Sequence, residues 1–530
     1  MTMPVLVAGR WRDESAAAGS FHALNPADRT PLADAFPVSP EATIEEALGA
    51  GRDAARALRS ATPGALARFL EACAEQIEAR ADALVEMAHR ETALPREPRL
   101  RSVELPRTTG QLRQAARAAR ERSHTQPTLD TQANIRSMRE PLGGVILVFG
   151  PNNFPFAFNA MMGGDFAAAI AAGNPVLAKA NPGHPGTTRL LAEAAHAALA
   201  EAGLPSSTVQ LVYHVAADLG LKLVAHPLVA ATAFTGSRKA GLALKAAADR
   251  AGKPIYLEMS SVNPVFLLPG AVEERADEVA AELFQSCSLG AGQFCTNPGL
   301  SVVIEGPASD GLLKSLQDLF ETRPPGTLLG AAGPSNIAAS LKTLVEAGAT
   351  VLAGGADAGG AGFAFANTLL RVSGEQFLRK AEALQTEAFG TVHLMVFAHD
   401  LDEMVAVADR FEGNLTGCIY SHKGGRDDEA YRLVAEALRP RVGRLLNDKM
   451  PTGVAVSPAM NHGGPFPATG HPGFTAVGIP ASLARFTALR CYDNVRQERL
   501  PPELRDENPT GAWRLVDGTW TRDAVRPRPA

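Results

Sequence analysis

The chain lacks the features that would tie it to a membrane, a nucleic acid or a disulfide scaffold. Its longest apolar stretches, such as GGVILVFG, are strand-sized and far short of a membrane span. A formal net charge of −5 and a pI near 6.2, with no polybasic run, leave no footprint for nucleic acid. Cysteine is scarce: Cys73, Cys287, Cys295, Cys418 and Cys491 are odd in number and scattered, which favours reduced thiols over a disulfide framework. No Cys/His cluster has zinc spacing, so no metal site is expected. The opening MTMPVLVAGRWRDES has too short an apolar run for a signal peptide, so a cytoplasmic location is expected. Internal repeats and long low-complexity linkers are also missing.

What is present is a globular chain of 530 residues, 46 % hydrophobic, long enough for two or more domains. SPEATIEEALGAGRDAARALRS reads as a helix, with Ser39 as its cap and Pro40 in the first turn. A second helix is expected through GALARFLEACAEQIEARADALVEMAHRET, residues 64–92. From residue 144 strands and helices alternate. GVILVFG, PVLAKAN, TVQLVYH, LVAATAFTG and PIYLEMS read as strands, and FAFNAMMGGDFAAAIAAG, residues 156–173, as one of the intervening helices. Such alternation predicts βαβ units and a mainly parallel sheet, whose ligands bind beyond the carboxyl ends of the strands. A second α/β unit begins near residue 260, with a helix over 271–288. The polar, Pro-rich segment after about residue 500 reads either as an arm against a neighbouring subunit or as disordered.

Four stretches carry candidate chemistry. In SLGAGQFCTNPG, Cys295 sits among small and flexible residues, where a buried structural cysteine would prefer an apolar run. It is either a bland loop thiol or a nucleophile. In YLEMSSVNP, Glu258 stands where an apolar strand runs out: solvated, paired, or a poised base. In FGPNNFP, Asn153 is either a turn residue or an amide donor to a developing oxyanion. FTGSRKAG offers a strand end, a tight turn at Gly236 and exposed helix amides, a weak phosphate-binding signal without the Lys-Ser/Thr of a P-loop. Together these suit a thiolate that attacks an electrophilic carbon, an amide that holds the oxyanion and a carboxylate that activates water.

FTGS, LEMSS, GAGQFC and TEAFG occur in the order and spacing of the aldehyde dehydrogenase superfamily, and the resemblance covers residues 5–495. It implies an α/β fold with a parallel-sheet, Rossmann-type cofactor domain (1–127 and 146–258), an α/β catalytic domain (259–470), a small β bridging element (128–145 and 480–500) and a C-terminal tail (501–530). It implies that Cys295 is the nucleophile, Glu258 the base for the deacylating water, and Asn153 the side-chain oxyanion donor beside the Cys295 backbone N–H. Cofactor-binding positions implied by the same likeness are Phe149, Lys179, His184, Gly236, Ser237, Glu387 and Phe389. Phe154, Phe156, Phe158 and Phe294 flank the catalytic positions as candidates for an apolar substrate tunnel.

Many relatives carry a glutamate three residues after the lysine, and here KANPGHPG puts Pro182 there. A missing carboxylate leaves room for a 2′-phosphate, which favours NADP over NAD. SVNPVFLLP, GAGQFCTNPG and NHGGPFPATG resemble the branch that holds α-ketoglutarate semialdehyde (2,5-dioxopentanoate) dehydrogenases and an NADP-linked fatty aldehyde dehydrogenase. The resemblance therefore implies oxidation of that semialdehyde. A medium- or long-chain aldehyde is the alternative, and a catalytically silent protein of the same fold the alternative of another class. The expected partners are a small aldehyde and further copies of the chain in a homodimer or homotetramer, with no nucleic acid and no membrane. His462 and His471, which bracket the late Gly/Pro loop, read as turn or surface residues, and Cys287 as core packing.

Overall fold

The computed structural model describes residues 2–525, and among these no helix is long and apolar enough to cross a membrane. The chain builds two large α/β layers and a smaller β sheet. The first sheet has seven strands in the order Ile255–Glu258, Val229–Thr235, Val145–Phe149, Val176–Lys179, Val209–Val212, Val5–Val7, Arg10–Arg12. Its first five strands run parallel, and the two N-terminal strands close one edge in antiparallel pairing. Strands such as VILVF and VQLV are buried at every position, as continuous apolar runs covered by helices on both faces should be.

Register decides what this sheet can do. Phe149 lies opposite both Phe234 and Lys179, and Thr235 lies opposite Glu258. The carboxyl ends of four parallel strands therefore finish at one level, and the residues that follow them share one rim.

The second sheet also has seven strands, in the order Thr350–Ala353, Thr368–Ser373, Val392–Ala398, Leu300–Ile304, Val265–Leu267, Asn414–Tyr420, Val442–Asn447, parallel except at the first pair. A five-stranded sheet joins Thr487–Asp493, Ile135–Pro141, Thr128–Asp130, Arg514–Val516 and Thr519–Thr521. Through residue 525 the C-terminal segment is thus folded into that sheet. Leu500 and Leu504 pack on Leu129 and Met138, and the fully buried Arg514 donates to the carbonyls of Asp506 (3.2 Å) and Asp523 (2.9 Å).

Three local expectations are corrected. The helix foreseen over 156–173 spans only Gly164–Ala171. Before it, the Glu104 carboxylate accepts from the backbone N–H groups of Phe156 (2.8 Å) and Ala157 (3.0 Å), and Met162 is left-handed at φ 64°, which together hold a non-helical turn. Residues 64–92 form two helices, Pro63–Ala79 and Ala81–Thr92, because Arg80 leaves helical geometry at φ −110°, ψ 15°. Ser39 does not cap the first helix: Pro40 takes the cap position of Glu41–Leu58, and the buried Ser39 hydroxyl has no partner.

Candidate active site

Cys295 comes from the second α/β layer and Glu258 from the rim of the first, so the site lies where the two layers meet. Helix Pro269–Ser288 ends just before the cysteine loop, which turns through Gly290, Ala291 and Gly292 at φ 57°, 55° and 73°. A Cβ on Gly292 would stand 2.1 Å from the Gly390 carbonyl carbon, so the loop lies backbone-to-backbone against TEAFG. That is why small residues surround the sulfur. From SSVNP, the Asn263 side-chain amide donates to the Cys295 carbonyl (2.9 Å) and the Asn297 carbonyl (2.8 Å). Its own oxygen accepts from Thr416 Oγ1 and Ser261 Oγ, each at 2.9 Å, and Asn414 in turn accepts from the Asn263 N–H at 3.1 Å. The cysteine is held by a closed network of buried amides.

The structure adds a residue that the sequence reading left in a turn. His462 is buried, and its Nε2 lies 3.4 Å from Cys295 Sγ and 3.1 Å from Glu258 Oε1. The side chains of His462 and Glu258 are each only 2 % exposed. Glu258 Oε2 is buried with no hydrogen-bond partner among the described residues, which leaves that carboxylate oxygen able to take a further proton. Burial, and then the neighbouring Glu258 carboxylate, push the Cys295 thiol well above its ordinary range. At rest the sulfur is therefore protonated, with an imidazole in reach. Glu258, Cys295 and His462 are also the three side chains that could jointly hold a metal ion, their ligand atoms lying within 4.8 Å of one another. His471, by contrast, does serve a turn: its Nδ1 accepts from the Gly473 N–H at 2.9 Å.

Asn153 lies in the turn after strand Val145–Phe149 and is buried, its Nδ2 donating to the Gln293 carbonyl at 3.0 Å, two residues before Cys295. Arg99 fixes that turn. It donates to the Asn153 carbonyl (3.0 Å) and pairs with the buried Glu104, which holds the Phe156 and Ala157 amides. Phe154, Phe158 and Phe294 form one edge-to-face cluster, with centroids 5.1 and 5.2 Å apart around Phe154, and Phe158 lies 5.7 Å from His462. Phe156 is fully buried in the core of the first layer and is not part of that cluster. Cys287 is buried too, its Sγ donating to the Pro298 carbonyl at 3.2 Å.

On the rim of the first sheet, Lys179 has no hydrogen bond or ion pair among the described residues, and burial alone brings its ammonium down to about 8. Phe149 is buried beside Phe234, with ring centroids 6.3 Å apart. Gly236 precedes Ser237, whose hydroxyl caps helix Arg238–Arg250 by accepting from the Ala240 N–H at 3.3 Å. Across the cleft, Glu387 faces the Ser260 hydroxyl and the Ser261 N–H, and burial brings its carboxyl up to about 7. Glu387 and Phe389 line a cavity with Ser261 and Gly292. A desolvated, uncompensated cation at a strand end, a helix N-terminus beside it and a carboxylate opposite fit the phosphates and riboses of a dinucleotide. His184 is fully buried, with one ring nitrogen on the Pro151 carbonyl (2.9 Å) and the other facing Asn159 and Thr188 (3.4 Å each), so its ring turns toward the scaffold.

Known proteins resemble this chain along most of its length. The aldehyde dehydrogenase family profile matches residues 11–465. The chain is 38 % identical over 513 residues to alpha-ketoglutaric semialdehyde dehydrogenase 2 of Azospirillum brasilense, covering 94 % of this chain and 96 % of that protein. It is 34 % identical over 521 residues to alpha-ketoglutaric semialdehyde dehydrogenase of Acinetobacter baylyi, covering 96 % and 97 %. Among solved structures, lactaldehyde dehydrogenase from Escherichia coli superposes with a TM-score of 0.80 at 21 % identity, over 93 % of this chain and 98 % of that one. A variant of aldehyde dehydrogenase C from Pseudomonas syringae, complexed with NAD+ and octanal, gives 0.79 at 21 % identity, over 93 % and 96 %.

The tight contact under the cysteine loop is directly testable. Gly292→Ala should lower stability by about 1–3 kcal/mol, as overpacking against backbone does. A thermal midpoint equal to that of the parent chain would show that the two loops can part without cost.

Proposed function

We propose that this chain, which belongs to the aldehyde dehydrogenase family, oxidises α-ketoglutarate semialdehyde (2,5-dioxopentanoate) to 2-oxoglutarate. As a member of the family it is an NAD(P)-dependent oxidoreductase acting on aldehydes. The substrate assignment draws its support from two curated relatives of that name, matched along almost their whole length. The chemistry rests on one observation, the contact of His462 Nε2 with both Cys295 Sγ and Glu258 Oε1.

Cys295 Sγ forms a bond to the aldehyde carbon while its proton passes to His462, whose positive charge Glu258 offsets. The carbonyl oxygen becomes an alkoxide held by Asn153 Nδ2 and the Cys295 backbone N–H. Losing one such donor typically raises the barrier by roughly 3–4 kcal/mol. When bound, the nicotinamide ring supplies the hydride acceptor. Cys295 is then left as a thioester. Glu258 takes a proton from water as the water oxygen attacks the thioester carbon, and the departing sulfur recovers its proton from His462. The aldehyde gains one oxygen from water and the cysteine ends as it began.

Lys179 serves the adenosine ribose, Gly236 and Ser237 the pyrophosphate, and Glu387 with Phe389 the nicotinamide ribose, with Phe149 at the same rim. NADP is the preferred cofactor: Pro182 stands where a repelling carboxylate would lie, and Lys179 is an uncompensated cation nearby. The Phe154, Phe158 and Phe294 cluster favours a second reading, a medium- or long-chain aldehyde. The assembly is a homodimer or homotetramer. Strand Thr487–Asp493 is paired on one side only and carries Leu489 65 % exposed, an edge that a second copy can cover. Reduced thiols, with all five cysteines unpaired, support a cytoplasmic location.

Three measurements test this account. Glu258→Gln should release one equivalent of reduced cofactor per active site and then stall, while Cys295→Ala releases none; steady turnover by either variant refutes its assigned role. An aldehyde panel run with both cofactors should give the highest kcat/KM for 2,5-dioxopentanoate with NADP, and a higher value for octanal, or for NAD, would reverse that part of the reading. Sedimentation should show a dimer or tetramer that Leu489→Lys weakens, and a monomeric parent chain would remove the interface.

A further inference from the structure

Within that proposed function, which this inference rests on, the substrate needs a cation for the carboxylate at its far end. Several arginines stand near the nucleophile, and their hydrogen bonds separate them. Arg99 spends both terminal nitrogens on Glu104 and the Asn153 carbonyl, leaving only its Nε without an acceptor. Arg444 spends its terminal nitrogens on the carbonyls of Pro451 (2.8 Å) and Gly453 (3.2 and 3.3 Å). Arg107 is different. On helix Leu105–Glu121 its only hydrogen bond among the described residues is a long one, from Nε to Gln111 Oε1 at 3.4 Å, and none of their carboxylates pairs with it. Its Nη2 is buried with no partner among the described residues.

A buried guanidinium nitrogen without an acceptor is costly and calls for an explanation. Its surroundings supply one. The Arg107 guanidinium lies over the ring of Phe158 (4.9 Å to the centroid) and near that of Phe154 (5.6 Å). Phe158 in turn packs on His462, which touches Cys295. Two aromatic rings thus flank the guanidinium, and its buried Nη2 is left without an acceptor among the described residues. Burial works against the Arg107 charge, and Glu104 first, then Cys295 and Glu258, offset it, so the cation stands within electrostatic reach of the reacting pair as well as of Glu104.

We propose that Arg107 is the specificity residue of this enzyme, binding the carboxylate of the semialdehyde through its unpartnered Nη2 while Phe154 and Phe158 hold the guanidinium flat. Arginine suits this task because its rigid fork matches a carboxylate in two-point contact. The aromatic cluster then forms the walls of a short slot with a charged end. An uncharged long-chain aldehyde entering it leaves Nη2 unsatisfied, so the same residue selects against such substrates.

The test compares 2,5-dioxopentanoate with pentanal, which has the same number of carbons and no charge. In the parent enzyme the ratio of kcat/KM values should favour the acid strongly. Arg107→Met should lower that ratio by about 10- to 100-fold, chiefly through KM for the acid, as loss of a charged hydrogen bond predicts. Arg107→Lys, which keeps the charge, should recover part of it. Glutarate should inhibit pentanal oxidation competitively in the parent enzyme, with an inhibition constant at least tenfold weaker in Arg107→Met. A ratio and a glutarate constant that stay put in both variants overturn the assignment of Arg107 and leave the substrate reading standing. A parent enzyme that prefers pentanal fails the substrate reading itself. Equal loss on both aldehydes in Met and Lys variants alike would mark Arg107 as a structural residue and overturn the proposal.

Discussion

One imidazole holds the chemistry together. His462 touches a thiol from the second α/β layer and a carboxylate from the first, and itself belongs to a third segment that lies across both. None of the three groups is useful without the others. Burial alone would leave Cys295 an inert thiol, and Glu258 alone would make that worse by placing negative charge beside a nascent thiolate. With His462 between them, the proton has somewhere to go and the resulting cation has a counter-charge. The fold must therefore dock two layers and one loop with the accuracy of a hydrogen bond, and much of the architecture serves that demand.

Close backbone contact is how the docking is achieved. Gly292 lies on Gly390, and a Cβ on Gly443 would stand 1.8 Å from the Gly463 carbonyl oxygen, the residue after His462. A side chain at either place would push a loop away by more than the tolerance of the contact it supports. Buried amides then lock the loops in place: Asn263 on the Cys295 carbonyl, Asn414 on Asn263, and Asn153 on Gln293. Such networks stabilise a single arrangement because a half-satisfied member would cost more than an apolar replacement.

The legibility of the sequence follows this division. Parallel strands were readable because each is a short apolar run between turn residues, but the register that aligns Thr235 with Glu258 is seen only in the structure, since a run apolar at every position does not fix it. Cys295 stood out because small residues surround a thiol, and Glu258 because it ends an apolar strand. His462 did not stand out. It is 204 positions from Glu258 and 167 from Cys295, in a Gly/Pro run that resembles any loop, and nothing local marks one histidine there as buried and the other as a turn residue. Arg107 was hidden among the many basic residues for the same reason: its significance is the absence of a partner, which exists only in three dimensions. His184, a cofactor position implied by the likeness alone, turns its ring inward to the Pro151 carbonyl, which nothing local in the sequence announces. The helix foreseen at 156–173 failed because a distant carboxylate, Glu104, claims the amides that would have begun it.

A thiol kept protonated at rest also makes sense of the burial around it. Thiolates, not thiols, are what oxidants and electrophiles consume. A permanently ionised cysteine in an enzyme that handles reactive carbonyls would be exposed to both. Here the sulfur is desolvated, faces a carboxylate and is held as a thiol, so ionisation is favourable only as a carbonyl carbon arrives to take the electron pair and His462 to take the proton. Reactivity is tied to substrate occupancy by the same three contacts that perform the reaction. The proposed role of Arg107 extends that logic to selection, because a substrate carboxylate that neutralises it would hold the aldehyde end toward the sulfur.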